Sequence, residues 1–232
     1  MTDSDIINAA FDLHAMGFKG FIGFHFYSEP MNRTERMKNL IPLIKSQLPG
    51  QRFLLWTNAV NFVRPRKEVG RLFEVIILSI YDELSRANAR KALRNAQEVC
   101  ANVGVHQQED DKRLDAESLP APENTICLRP FTEMTFDYAG DVRMCCHDWK
   151  GHSCIGNLKK DGLKACVERW IRARTDLFVN EEGYPEMRKS APERCLNCKF
   201  RYEHHGWDME ILAKTRRHCI QAVKQPHSMT ST

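Results

Sequence analysis

Apolar residues recur along the first half of the chain in two alternating rhythms. Met37, Leu40, Ile41 and Ile44 follow the three- and four-residue spacing of a helix face, and Ala89, Leu93, Ala96 and Cys100 repeat it further on. Between such stretches lie short runs of branched and aromatic residues: GFIGFHFY at 20–27, RFLLWTN at 52–58 and EVIILSIY at 74–81. Each has the length and composition of a buried strand. The pattern predicts helices over 3–14, 33–47 and 86–101 and a short one over 65–73, alternating with these strands, with a final short strand at about 105. Asp3 or Ser4 is the expected cap of the first helix and Gly17 its stop. Pro42 interrupts the second pattern and Pro49-Gly50 ends it; Pro65 opens the short helix, and Gly104 is the expected stop of the last. Helix and strand alternating in this way predict repeated α/β units on a parallel sheet.

The rhythm breaks between 105 and 125, where QQEDDKRLD is followed by LPAPEN. This reads as a linker with a boundary near Pro120, dividing the chain into an α/β domain over 1–119, a small α+β domain over 120–210 and a tail over 211–232. Beyond the boundary, FTEMTFDYAGDVRMCC reads as a hairpin turning at Ala139-Gly140. Helices are expected over 159–175 and, after a Cys-x-x-Cys, over 195–219.

Charge narrows the classes of function. Lysine and arginine number 34 against 30 acidic residues, and the net charge of +4 gives no electrostatic case for binding nucleic acid or a membrane surface. The most apolar run, LFEVIILSI at 72–80, is too short for a bilayer span and contains Glu74. The N-terminus, MTDSDIINAAFDL, lacks the basic region and apolar run of a secretory signal, so a cytoplasmic location is expected. Nine cysteines in such a chain are expected to be metal ligands or core thiols rather than disulfides.

Their spacing points to one centre. Cys195 and Cys198 form a Cys-x-x-Cys knuckle that can aim both sulfurs at the same metal, and Cys127 and Cys145 bracket the hairpin so that its return strand can bring them together. Four-cysteine sites suit both zinc and iron-sulfur clusters. Two single cysteines bracketing a hairpin favour a [4Fe-4S] cluster over a zinc ribbon, which uses two knuckles, and zinc stays the alternative. Cys146 adjoins Cys145, and neighbours on a strand face opposite ways; spacing selects Cys145 as the ligand. Cys100 and Cys166 lie on apolar helical stripes and are expected in the core, while Cys154 and Cys219 receive no role. His147, His152, His204 and His205 are donors a zinc site could use.

The segment from Cys127 through LRPFTEMTFDYAGDVRMC to Cys146, then Ile155-Gly156-Asn157-Leu158, a helix with Trp170, and Pro192 before Cys195-Leu196-Asn197-Cys198 resembles the radical S-adenosylmethionine enzymes that carry a C-terminal SPASM or twitch domain. The form with one auxiliary cluster is the most similar, since only Cys219 follows Cys198. The resemblance implies an incomplete (β/α) barrel followed by the small cluster domain, with an auxiliary [4Fe-4S] cluster on Cys127, Cys145, Cys195 and Cys198. In the first half, Tyr27-Ser28-Glu29-Pro30 resembles the family's Gly-Gly-Glu-Pro segment, which gives Glu29 the amino group of S-adenosylmethionine. Asn58, after Thr57, and Ser79 stand where the family places further cofactor contacts.

One departure bears on activity. The family's CxxxCxxC loop occurs nowhere in the sequence, whose first cysteine is Cys100, and the chain is expected to begin inside the helix that follows that loop. The resemblance therefore implies part of a radical S-adenosylmethionine oxidoreductase or modifying enzyme acting on a small molecule or peptide, with the missing segment supplied by a longer start or a partner chain. The alternatives are a non-catalytic iron-sulfur protein and a zinc-stabilised interaction module.

Overall fold

The computed structural model describes residues 1–25, 28–64, 67–107, 125–126, 133–146, 148, 151, 153–179, 186–187, 195 and 202–203. Contacts divide the chain into two compact units, Met1–Lys112 with Asp137–Gly140, and Arg113–Phe136 with Asp141–Thr232.

In the first unit, local chemistry sets the ends of the elements. Helix α1, Asp3–Ala15, is capped by Thr2 rather than Asp3 or Ser4: the Thr2 hydroxyl accepts from Asp5 N at 3.2 Å and Thr2 N donates to the Asp5 carboxylate at 2.6 Å. Strand β1 is Phe21–Phe24, shorter than the predicted run. Helix α2, Thr34–Gln47, passes through Pro42 without a break. Burial of Met37, Leu40, Ile41 and Ile44 outweighs the one backbone hydrogen bond the proline deletes. Strand β2, Arg52–Asn58, coincides with its prediction, helix α3 is only Lys67–Gly70, and β3 is Val75–Ile80. Helix α4, Glu83–Gln97, starts three residues before the predicted 86, because Asp82 and Ser85 cap each other: Asp82 Oδ1 accepts from Ser85 N at 2.7 Å, and Ser85 Oγ from Asp82 N at 3.0 Å. Those backbone and hydroxyl hydrogen bonds also hold the Asp82 carboxyl below its ordinary pKa. Gly104, the expected helix stop, lies inside strand β4, Val103–Gln107.

The four strands pair in parallel in chain order, β1-β2-β3-β4. Phe53, Leu55, Ile76 and Leu78 share one buried cluster with Ala10, Ile41, Ile44, Ala92 and Ala96, so α1, α2 and α4 cover the same face of the sheet. Cys100 belongs to this core, as expected. The opposite face carries Leu54, Trp56, Asn58, Ile77 and His106, all half-buried.

The second unit is built on a three-stranded antiparallel sheet, β6 (Thr135–Phe136), β7 (Asp141–Arg143) and β8 (Cys154–Asn157), in the order β6-β7-β8. Helix α5, Leu158–Leu177, lies over it, and Val142, Cys166 and Trp170 form the core with Met134, Phe136, Ile155 and Ile171. Three two-residue segments, β5 (Thr125–Ile126), β9 (Phe178–Val179) and β10 (Glu186–Met187), and a fourth, β11 (Tyr202–Glu203), make the pairs β9–β10 and β5–β11, both antiparallel.

Gly162 interrupts α5 at φ 75°, ψ 161°, a conformation essentially restricted to glycine. No atom stands within 4 Å of a Cβ built there, so the constraint is in the backbone alone. Gly162→Ala is therefore expected to destabilise the protein by about 1–3 kcal/mol in urea unfolding, with native circular dichroism at zero denaturant; an unchanged midpoint would contradict a fixed kink.

Candidate metal centre

Cys145 follows strand β7 at the end of the hairpin and is half-buried; Cys146 beside it is buried, with 8% of its surface exposed. The two neighbours thus differ in burial, although β7 ends at Arg143 and neither lies on the strand. Cys195 is also half-buried. Cys127 and Cys198 lie outside the described residues, but the β5–β11 ladder pairs Ile126 with Tyr202. Among the described residues no three cysteine, histidine or acidic side chains gather as a metal site. His147, His152, His204 and His205, the zinc donors considered, are outside them, as is Cys219.

A clasp shapes the loop after Cys145. Asp148, 3% exposed, accepts from Ser153 N at 2.7 Å and from the Ser153 hydroxyl, and Ser153 Oγ in turn accepts from Met144 N at 3.2 Å. Asp148 N donates to the Cys145 carbonyl at 3.2 Å, and Gly151 N to the Asp148 carbonyl at 3.0 Å. Arg143 closes the other side, donating to the Gly151 carbonyl at 2.9 Å and pairing with Asp141 at 3.1 Å. A Cβ at Gly151, whose φ is 73°, would stand 2.8 Å from Arg143 Nη1. The backbone that carries Cys145 is therefore held from both flanks by charge-assisted hydrogen bonds.

Asn157 joins this loop and hairpin to the helix. Its Nδ2 donates to Asp141 at 2.6 Å, its Oδ1 accepts from Lys159 N and Lys160 N at 3.0 and 3.2 Å, and its own N donates to Asp161 at 2.8 Å. The second bonds satisfy open amides at the start of α5. The Asn157 amide and the Arg169 guanidinium hold the Asp161 carboxyl below its ordinary pKa. Burial pushes the Cys166 thiol up, in keeping with its place in the core. The exposed Cys154 is likewise raised, first by desolvation and then by Asp141.

The donor set fits an iron-sulfur cluster: Cys145 and Cys195 are both half-buried thiols, shielded in part from solvent yet open to a metal.

The three residues proposed for S-adenosylmethionine come together at the carboxyl ends of the parallel strands. Glu29 begins a 3-10 turn, Pro30–Arg33; its Oε1 accepts from Met31 N at 3.0 Å and from the Thr57 hydroxyl, and its Oε2 from Asn58 N at 3.0 Å. One lone pair on Oε2 stays open to a further donor such as an ammonium. Asn58 pairs with Ser79 across β2 and β3, and its Oδ1 accepts from Asn61 N and Nδ2 at 3.2 and 3.1 Å. Ser79 is fully buried and accepts from the Trp56 indole N–H. Trp56 is stacked by His25, with ring centroids 5.1 Å apart, and met edge-on by His106 at 5.4 Å. Ser79 thus meets an aromatic group that the strand pattern alone gave no reason to single out.

Residues 127–199 match the family model of SPASM, described as an iron-sulfur cluster-binding domain. The match makes this segment an iron-sulfur cluster-binding one and spans all four proposed ligands. No curated protein and no solved structure matches the chain.

Two outcomes test this geometry. Asp148→Ala removes the acceptor for Ser153 N and Oγ; with about 1–3 kcal/mol lost per buried group left without a partner, the variant is expected to take up markedly less iron than wild type in matched anaerobic reconstitutions, and equal iron would contradict the clasp. Asp161, whose carboxyl is depressed, stabilises the fold fully above its unfolded pKa of about 3.8 and loses that contribution as pH falls through the lower folded value. The stability difference between metal-free wild type and Asp161→Asn should then be constant near neutral pH and shrink below about pH 4; a constant difference in acid would contradict the assignment.

Proposed function

We propose that the chain is an iron-sulfur protein of the radical S-adenosylmethionine/SPASM type, holding one auxiliary [4Fe-4S] cluster on Cys127, Cys145, Cys195 and Cys198, and working as part of an oxidoreductase or modifying enzyme on a small molecule or peptide. The observation that carries the reading is the cluster-binding match over 127–199, on a hairpin that holds Cys145 half-buried and Cys146 in the interior. The β5–β11 ladder supports the approach of the other two ligands. Such a cluster supplies one-electron chemistry, or an iron site for substrate, when bound.

The first unit supports the wider part of the reading. Parallel strands in chain order with helices on one face are the repeating unit of a (β/α) barrel, and Glu29, Asn58 and Ser79 meet at the carboxyl ends of strands, where barrel enzymes build their sites. Because the sequence contains no CxxxCxxC, the thiolate triad for cleaving S-adenosylmethionine comes from another segment or chain in this reading. A second reading, a non-catalytic iron-sulfur module, is favoured by one observation: Trp56 occupies the hydrogen bond of Ser79.

Iron, sulfide and zinc quantification after anaerobic reconstitution, on wild type and Cys195→Ala, tests the cluster. About four irons and four sulfides per wild-type chain, lost in the variant, are expected; one zinc without sulfide would overturn the assignment. Incubation of the loaded protein with S-adenosylmethionine and reductant separates the two readings from full catalysis: no 5′-deoxyadenosine is expected from this chain by itself, and its formation would contradict the need for a further thiolate triad.

A further inference from the structure

Strand β4 and helix α4 carry two unmet features side by side. β4 is the last strand of the parallel sheet, joined to β3 from Ile76–Val103 to Ile80–Gln107, and among the described residues no strand bonds its outer side. An edge of this kind pairs readily with an added chain. Val105 stands opposite the core residue Leu78, on the helix-covered face, yet it is 47% exposed, so α4 leaves it uncovered. On α4, Arg86, Arg90 and Arg94 recur every four residues, Lys91 adjoins them, and all four are exposed. Among the described residues no carboxylate lies within ion-pair distance of any of them. Asp82, whose carboxyl senses Arg86, bonds the helix cap instead. Like charges four residues apart repel across a helix surface, and no ion pair offsets that repulsion here.

The cations stand on the flank of α4 that faces this edge. Ala92 and Ala96 are buried in the core, and Asn95 turns toward the 3-10 turn Ala59–Phe62, donating to the Phe62 carbonyl at 2.7 Å. That turn follows β2, whereas α4 packs on β3 and β4. At about 3.6 residues per turn, Arg86 and Arg90 fall on the side of the helix opposite Asn95, away from β2 and toward the free edge of β4. The spacing also agrees. The arginines repeat about every 6 Å along the helix, and alternate side chains of an extended chain repeat about every 6.6 Å. A segment added to β4 presents every second side chain to the helix-covered face, where carboxylates there meet guanidinium groups. A nucleic acid would engage the cations but leave the main-chain groups of β4 unmet, so the two features together favour a peptide.

We propose that the edge of β4 and the stripe of Arg86, Arg90 and Arg94 together bind an extended acidic segment of another polypeptide, added to the sheet as a fifth strand with carboxylates at alternate positions facing α4. Main-chain hydrogen bonds to β4 hold the segment, and the arginines select its charge. The inference concerns the first unit alone and is independent of the cluster.

The test uses the full chain and a fluorescein-labelled peptide of alternating glutamate and threonine, with the glutamine–threonine peptide as control, and reads fluorescence anisotropy and amide hydrogen exchange. Expected are saturable binding of the glutamate peptide that weakens with salt, none of the control, affinity lower by about tenfold or more in the double variant Arg86→Gln/Arg90→Gln, and slower exchange of the Val103–Gln107 amides when the peptide is bound. Absence of saturable binding, or equal binding of the control, overturns the proposal. Binding that leaves β4 exchange unchanged is adsorption to charge alone and overturns it as well. Tighter binding of an oligothymidylate, lost in the same variant, makes the stripe a nucleic-acid site and refutes the peptide. If the double variant does not fold, the wild-type binding and exchange data decide by themselves.

Discussion

Asn157 is the residue on which the second unit depends. Its side chain reaches across to Asp141 on the neighbouring strand while its carbonyl oxygen meets the first amides of α5, and its backbone amide meets Asp161. One side chain therefore sets the register of β7 against β8 and the direction in which the helix leaves the sheet. Once both are set, Val142, Cys166 and Trp170 have to meet, and the loop after Arg143 has to leave the sheet where Cys145 stands. A cubane with four cysteines tolerates little error in where its ligands begin, because thiolate side chains are short. At Cys145, backbone held on both sides meets that tolerance.

Polar groups of the second unit divide into two kinds. Asp148, Ser153, Arg143 and Asp141 satisfy one another and the loop backbone, so their work is geometric and complete within the chain. The Trp170 indole and the Arg174 guanidinium are buried on α5, the guanidinium 4.3 Å from the ring centroid, and their work is to pack the helix. The first set explains why the loop has one shape. At the other end of the chain Glu29 has a comparable double nature: three hydrogen bonds lock it between β1 and β2 while one lone pair stays available.

Much of the fold was legible because periodicity and burial coincide. RFLLWTN is an apolar run bounded by polar residues, and β2 has its predicted bounds; the apolar stripes put Cys100 and Cys166 in the two cores where the structure places them. Misplaced boundaries trace to local side-chain bonds that periodicity does not register: Asp82 with Ser85 starts α4 early, Thr2 takes the cap from Asp3 and Ser4, and Gly104 sits in a strand despite its usual role as a stop. At the site, a cysteine after a hairpin and a Cys-x-x-Cys are visible in any sequence. The Asp148–Ser153 clasp and the closure of Ser79 by Trp56 are tertiary contacts between residues of ordinary type, and no spacing announces them.

Anaerobic native mass spectrometry of the purified chain addresses the central claim most directly, because it weighs what one polypeptide holds. The account predicts a single added mass equal to four irons and four sulfides, present on the wild-type chain and absent after substitution of any one of Cys127, Cys145, Cys195 and Cys198. A chain that carries a single zinc ion, or one that keeps its full cluster after Cys145→Ala, would contradict it.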